Sequence, residues 1–175
     1  MQTSIWKNLI RFVFLILLQG MVLEHIDLPG NLHCIIYPIA ILLLPMQTSA
    51  VLVLLCGFAV GLCVDLLCEI PGLNAAAATF MAFVRVIYFR TKTRRDTGFD
   101  NDLSGTPLPS QMGWGSFVSY TFWCVILFHI AYFLIDAFSF KNILYSLYLA
   151  VGSSLVCIVG VMLAVTVFKP KSNTR

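Results

Sequence analysis

Residues 54–83 read LLCGFAVGLCVDLLCEIPGLNAAAATFMAF. Two apolar blocks meet at Pro71-Gly72, and each block extends beyond this window, to Ala50–Cys68 and Leu73–Phe89. Blocks of this length and continuity suit helices that cross the ~30 Å hydrocarbon core, which needs about 20 mostly apolar residues. They do not suit the alternating ten-residue strands of a membrane β-barrel. Within the first block, Gly57 and Gly61 form a G-x-x-x-G and Asp65 follows four residues later. In a helix these three share one face. The glycines let a second helix approach closely, and the aspartate then points into the bundle rather than into lipid. After Pro71-Gly72 the run Leu73-Asn74-Ala75-Ala76-Ala77-Ala78 has side chains small enough to press on that glycine face. Residues 50–89 therefore read as a tight helical hairpin.

The rest of the 175-residue chain has the same character. It is 59% hydrophobic and 11% charged, with a mean hydropathy of +0.91. Soluble domains have about 45–50% apolar and about 25% charged residues. The composition excludes a soluble enzyme and a disordered tail, and six cysteines are too few for a disulfide scaffold. An all-α integral membrane protein of a single domain, residues 1–175, is the class that remains. Further apolar stretches run over Leu9–Leu23, His33–Leu44, Trp114–Ile135 and Ile143–Phe168. The first resembles a signal peptide but lacks a small-x-small cleavage pattern, since Leu18-Gln19-Gly20 has a large first residue. It is expected to be an uncleaved span. The second is short and holds Pro38.

Charge placement sets the expected topology. If all six stretches are transmembrane helices and both termini are cytoplasmic, then Lys7, Arg11, Arg90, Lys92, Arg94, Arg95, Lys169, Lys171 and Arg175 lie inside. Arg85, one turn from the inner end of its span, is expected to snorkel there. Only Lys141 falls outside, with Glu24, Asp27, Glu69 and Asp136 in the outer loops. The polar stretch 90–113 is then a cytoplasmic loop. Its first part, Arg90, Lys92, Arg94 and Arg95, is a basic patch suited to lipid headgroups or to docking a cytoplasmic protein. Without interleaved aromatics it makes a poor track for nucleic acid. Its second part, Asp96–Gln111, rich in Gly, Ser, Pro and Asp, reads as a solvated connector. Trp6, Trp114, Tyr120 and Trp123 gather near cytoplasmic span ends as an interfacial belt.

Catalytic and metal chemistry find little footing. His25, His33 and His129 stand on different segments without Cys, Asp or Glu at ligand spacing. His25 and His33 are expected to be solvated, and His129 to form an interhelical hydrogen bond. Ser153 and Ser154 sit in Val-Gly-Ser-Ser-Leu, which is not the motif of an intramembrane serine protease, and His129 lies at a different depth. The cysteines contain no C-x-x-C and read as small core residues. No cofactor and no metal is expected, and no enzyme activity. The candidate site is the hairpin face: Gly57, Gly61, Asp65 and Asn74. Two readings of Asp65 stand, a hydrogen-bonded helix-end residue and a functional carboxylate. Asn74, at the outer start of its helix, is the expected partner; Arg85 is roughly 18 Å deeper at ~1.5 Å per residue. If Asp65 is functional, Asp65→Ala is expected to remove an expensive group and leave the fold intact.

The ordered run Gly57, Gly61, Leu62, Asp65, Leu66, Leu67, followed by Pro71-Gly72-Leu73-Asn74-Ala75-Ala76 and preceded by Pro45, resembles the MreD family of rod-shape-determining membrane proteins. The resemblance implies a non-enzymatic component of the elongation machinery in the bacterial inner membrane. It further implies partners: a periplasm-facing MreC-like scaffold, the actin-like MreB filament and the cell-wall synthase complex. The implied fold is that of the six-helix substrate-binding subunits of energy-coupling-factor transporters. That fold supplies an alternative function, a vitamin-capture subunit. Such subunits usually carry A-x-x-x-A on the first helix, and Arg11 to Leu23 holds no alanine.

The topology has a direct test. Single cysteines introduced on a cysteine-free background are expected to be labelled from the cytoplasmic side at residue 104, and labelling from the opposite side would reverse the assignment.

Overall fold

The computed structural model describes residues 2–23, 32–70, 72–95, 105–137 and 143–167. Within these, the structure is helical: α1 (Gln2–Met21), α2 (Pro38–Leu42), α3 (Ala50–Cys68), α4 (Leu73–Arg95), α5 (Pro109–Met112), α6 (Trp114–Ala137) and α7 (Ile143–Val167). Three of the helices are long and apolar enough to cross a membrane: Ala50–Cys68, Trp114–Ala137 and Ile143–Leu163. Their outer faces carry exposed Val51, Leu55, Phe58, Leu66, Phe122, Leu144, Leu155 and Leu163. A water-soluble protein does not leave so continuous an apolar surface uncovered. The chain is an α-helical membrane protein.

The long helices pack in the order α1, α3, α4, α6, α7. Residues 32–46 run through their middle. The short second stretch of the sequence is thus not a transmembrane helix. It is an irregular segment leading into the five-residue α2. The segment starts with His33 against Tyr132 and Phe133, passes Tyr37 against Phe128, and reaches Leu42 beside Tyr120. These contacts descend α6 from position 133 to position 120, about 20 Å at ~1.5 Å per residue. Nine residues of helix would cover only about 13.5 Å; the partly extended backbone covers more with less chain. Tyr37, Ala40 and Ile41 are wholly buried.

Irregular backbone at membrane depth survives only where protein satisfies its polar groups, and every long helix supplies a side chain to this segment or to the residues that hold it. Pro38 has no N–H to offer the carbonyl four residues back. The Cys34 carbonyl accepts instead from Gln19 Nε2 of α1 at 3.3 Å, and Gln19 Oε1 accepts from Ile36 N at 2.8 Å. From α7, Ser153 Oγ accepts from His33 N at 3.0 Å, and Cys157 Sγ donates to the Ile35 carbonyl at 3.1 Å. Leu32 fills the notch at Gly152, where a Cβ would come within 2.5 Å of it. The segment thereby ties α1 to α7.

The lower end carries the free carbonyls expected beyond a helix C-terminus. Arg11 Nη2 donates to Leu43 O at 3.0 Å and Ala40 O at 3.4 Å. Tyr120 Oη donates to Leu42 O at 2.8 Å. Arg85 Nη2 donates to Leu44 O at 2.7 Å and Pro45 O at 3.2 Å, while its Nε donates to Tyr120 Oη at 3.0 Å. Arg85 is 1% exposed and lies 5.1 Å from the centre of the Phe89 ring. It does not snorkel, because two carbonyls, a hydroxyl and an aromatic face meet it inside the bundle. Tyr120 likewise leaves the interfacial belt for the core, whereas Trp114 and Trp123 stay exposed. The side chain of Trp6 lies outside the described residues.

Two further expectations change. The basic patch is not loop: α4 continues helically to Arg95. Gly105–Gly113, the described end of the polar stretch, is packed, with Pro107 and Met112 buried and the Gly105 carbonyl accepting from Met46 N at 3.0 Å. That bond holds it to the lower end of the central segment, and Leu108 and Met112 pack into the hydrophobic core; the rest of the connector, 96–104, lies outside the described residues.

Tyr120→Phe strands the Leu42 carbonyl and Arg85 Nε, so a loss of about 1–3 kcal/mol is expected in denaturant titration of the purified protein. Arg85→Lys is expected to destabilise as well, because one ammonium cannot reproduce the guanidinium fork that reaches Leu44 and Tyr120 together. Trp123→Phe, at an exposed position, is the neutral control.

Candidate functional site

The four hairpin residues singled out from the sequence lie along one interface between α3 and α4, with Gly61, Asp65 and Asn74 together and Gly57 against Ala78 and Ala82. α3 begins at Ser49, whose side chain accepts from Leu52 N at 3.4 Å, and ends at Glu69 in the left-handed conformation, φ 55°. There the Asp65 carbonyl accepts from Ile70 N at 3.0 Å. Gly72, with φ +76°, completes the reversal and its carbonyl accepts from Ala76 N. α4 then returns along the glycine face. A Cβ at Gly57 would lie 2.8 Å from Ala82 Cβ and 2.9 Å from the Ala78 carbonyl oxygen. At Gly61 it would strike backbone, 2.5 Å from Ala75 Cα, and also the Asn74 carbonyl oxygen. Small residues on both helices thus bring the two backbones together.

That approach places the Asp65 carboxylate at the first turn of α4. Its Oδ1 accepts from Asn74 N at 2.8 Å and from Asn74 Nδ2 at 3.1 Å, and its Oδ2 accepts from Ala75 N at 2.8 Å. Asp65 is therefore the cap of the next helix, satisfying two N–H groups that no intrahelical carbonyl can reach, at the positive end of the helix dipole. The amide oxygen of Asn74 then accepts from Tyr37 Oη at 3.2 Å, which also lies 3.3 Å from the Asn74 carbonyl. Asp65 and Asn74 are each 3% exposed. The chain of bonds from α3 through α4 to Tyr37 fixes the hairpin against the central segment. What it does chemically is position backbone; the carboxylate faces donors of its own chain.

The geometry revises the expectation for Asp65→Ala. Removing the carboxylate leaves two backbone N–H groups and the Asn74 amide without acceptors in a dry site, and this outweighs the gain from deleting a membrane-buried acid.

The basic patch is spread along the last turns of α4. Arg90 is exposed and Lys92 half-buried; the side chains of Arg94 and Arg95 lie outside the described residues. Of the histidines, His25 is outside them too. His33 is exposed at the top of the central segment, as expected. His129 is buried and makes a bond within its own helix, Nδ1 to the Val125 carbonyl at 2.9 Å, rather than one between helices; its Nε2 has no partner. Ser154 donates to the Ala150 carbonyl at 2.6 Å, and Ser153 is committed to His33 N. Among the described residues no group of three or more His, Cys, Asp or Glu is placed to hold a metal.

Sequence reasoning passed over Gln19, Tyr37, Tyr120, Ser153 and Arg85 as one set. The available signal was collective: polar groups scattered through apolar spans, beside one short span broken by proline.

Gly61→Ala is expected to reduce folded protein more than Gly57→Ala, since its three nearest neighbours are all backbone atoms and all closer than those at Gly57. Asp65→Ala should lower thermal stability by more than Asp65→Asn, which keeps one acceptor, and Tyr37→Phe should cost about 1 kcal/mol. Membrane abundance and melting in detergent measure all five. No family model, curated protein or solved structure matches this chain.

Proposed function

We propose that this protein is a non-enzymatic component of the bacterial cell-elongation machinery. In the inner membrane it would help maintain rod shape by coupling cytoskeletal proteins to peptidoglycan synthesis. The observation that carries the reading is the hairpin. The residues behind its resemblance to MreD proteins lie along one buried helix–helix interface: Gly57 against Ala78 and Ala82, Gly61 against Asn74 and Ala75, and Asp65 bonded to Asn74. The partners follow from the same resemblance: an MreC-like scaffold, an actin-like filament and the cell-wall synthase complex.

A second observation favours a scaffold over a capture subunit. The centre of a helical bundle is where a small ligand is commonly held. Here the protein's own residues 35–44 fill it, and the polar side chains around them are spent on that backbone. A rigid interior leaves the outer faces and the helix ends for recognition.

The test is affinity purification of the tagged protein from membranes, paired with depletion in its native rod-shaped host. Elongation proteins are expected to co-purify and depleted cells to round up. Unchanged rods, or co-purification of a transporter coupling module with bound vitamin, would overturn the reading.

A further inference from the structure

A cleft of about 390 Å³ opens on the outer side of the bundle between α4 and α6. Its floor and walls are apolar: Val84 and Ile87 from α4, Leu127 and the exposed Trp123 from α6. Its α4 end is polar, lined by Tyr88, Thr91 and Lys92. Val84, Ile87, Tyr88 and Thr91 recur at helical spacing, so the cleft follows one face of α4. From Val84 to Lys92 the axis rises about 12 Å.

The polar end is not equivalent at its three residues. The Tyr88 hydroxyl donates to the Ser116 carbonyl at 3.0 Å, and the Thr91 hydroxyl to the Ile87 carbonyl at 2.9 Å. Both donors are committed to this chain, which leaves, among the described residues that line the cleft, the Lys92 ammonium to meet whatever occupies it. The occupant must then be amphipathic along the helix axis. It needs an anion at the end of α4, where basic residues attract negative headgroups, and an apolar chain reaching inward toward Leu127. Arg90, two residues away, is exposed but does not line the cleft.

We propose that this cleft binds one anionic phospholipid, its phosphate on Lys92 and an acyl chain along Val84, Ile87 and Leu127. The site is separate from the hairpin contact, and its test does not depend on the role in cell elongation.

The experiment uses the full chain carrying Trp6→Phe and Trp114→Phe, so that Trp123 on the cleft wall is the fluorophore. The protein is reconstituted in phosphatidylcholine vesicles with a minor fraction of dibrominated phosphatidylglycerol, or the same fraction of dibrominated phosphatidylcholine. Bromine quenches only on contact, so the ratio of the two measures local enrichment. Enrichment of about fivefold is expected, the scale of one lysine at an anionic surface. Lys92→Gln should bring the ratio to about one, and Arg90→Gln should leave it unchanged. A ratio of one in the parent protein, or an equal loss in Lys92→Gln and Arg90→Gln, would overturn the proposal; the latter would mean attraction by the basic surface as a whole. Both substitutions are at the helix end, and circular dichroism of the same vesicles checks that helix content is kept.

Discussion

The carbonyls of Ala40, Leu42, Leu43 and Leu44 lie inside an apolar bundle at and beyond the end of the short α2, where the helix cannot supply their partners. Left bare, each would cost on the order of 1–3 kcal/mol. Arg11, Arg85 and Tyr120 reach them from three different helices. This requirement explains why an arginine sits at 1% exposure in a membrane protein, and why a tyrosine near a span end turns inward. The arginines are cationic groups at the C-terminal end of a helical turn, where the backbone dipole favours them. The polar residues of the spans are therefore best understood as the complement of one irregular segment.

The same segment organises the upper half. Gln19 and the α7 residues Ser153 and Cys157 bind its extended backbone, closing the arc of long helices between α1 and α7. Tyr37 joins it to the hairpin through Asn74. Asp65 holds the N-terminus of α4 and, through Asn74, the orientation of that tyrosine hydroxyl. The hairpin and the central segment are thus two halves of one polar framework, set in a core of close-packed alanines, glycines and aromatics.

Most of the buried polar side chains named above are committed to this framework; among the described residues, Thr121 Oγ1 and His129 Nε2 stand outside it. The surface retains variety: the basic last turns of α4, the cleft beside Trp123, and the apolar outer faces of α3, α6 and α7. Contacts with lipid belong there, on elements that the buried framework holds in place.

Local rules determined much of this protein. Continuous apolar runs marked α3, α6 and α7 almost to the residue, because a helix satisfies its own backbone and needs only apolar side chains to lie in lipid. The spacing of Gly57, Gly61 and Asp65 put them on one face, and the alanines after Asn74 supplied the matching surface. Tertiary structure alone decided the rest. The stretch at His33–Leu44 is apolar whether helical or extended, and its conformation depends on donors and acceptors that come from positions 11, 19, 85, 120, 153 and 157. No local pattern links residues so far apart. For the same reason Arg85 read as a residue at the membrane surface. A charge near the end of a span can turn outward to water or inward to carbonyls, and only the position of Leu44 and Pro45 across the bundle selects between them.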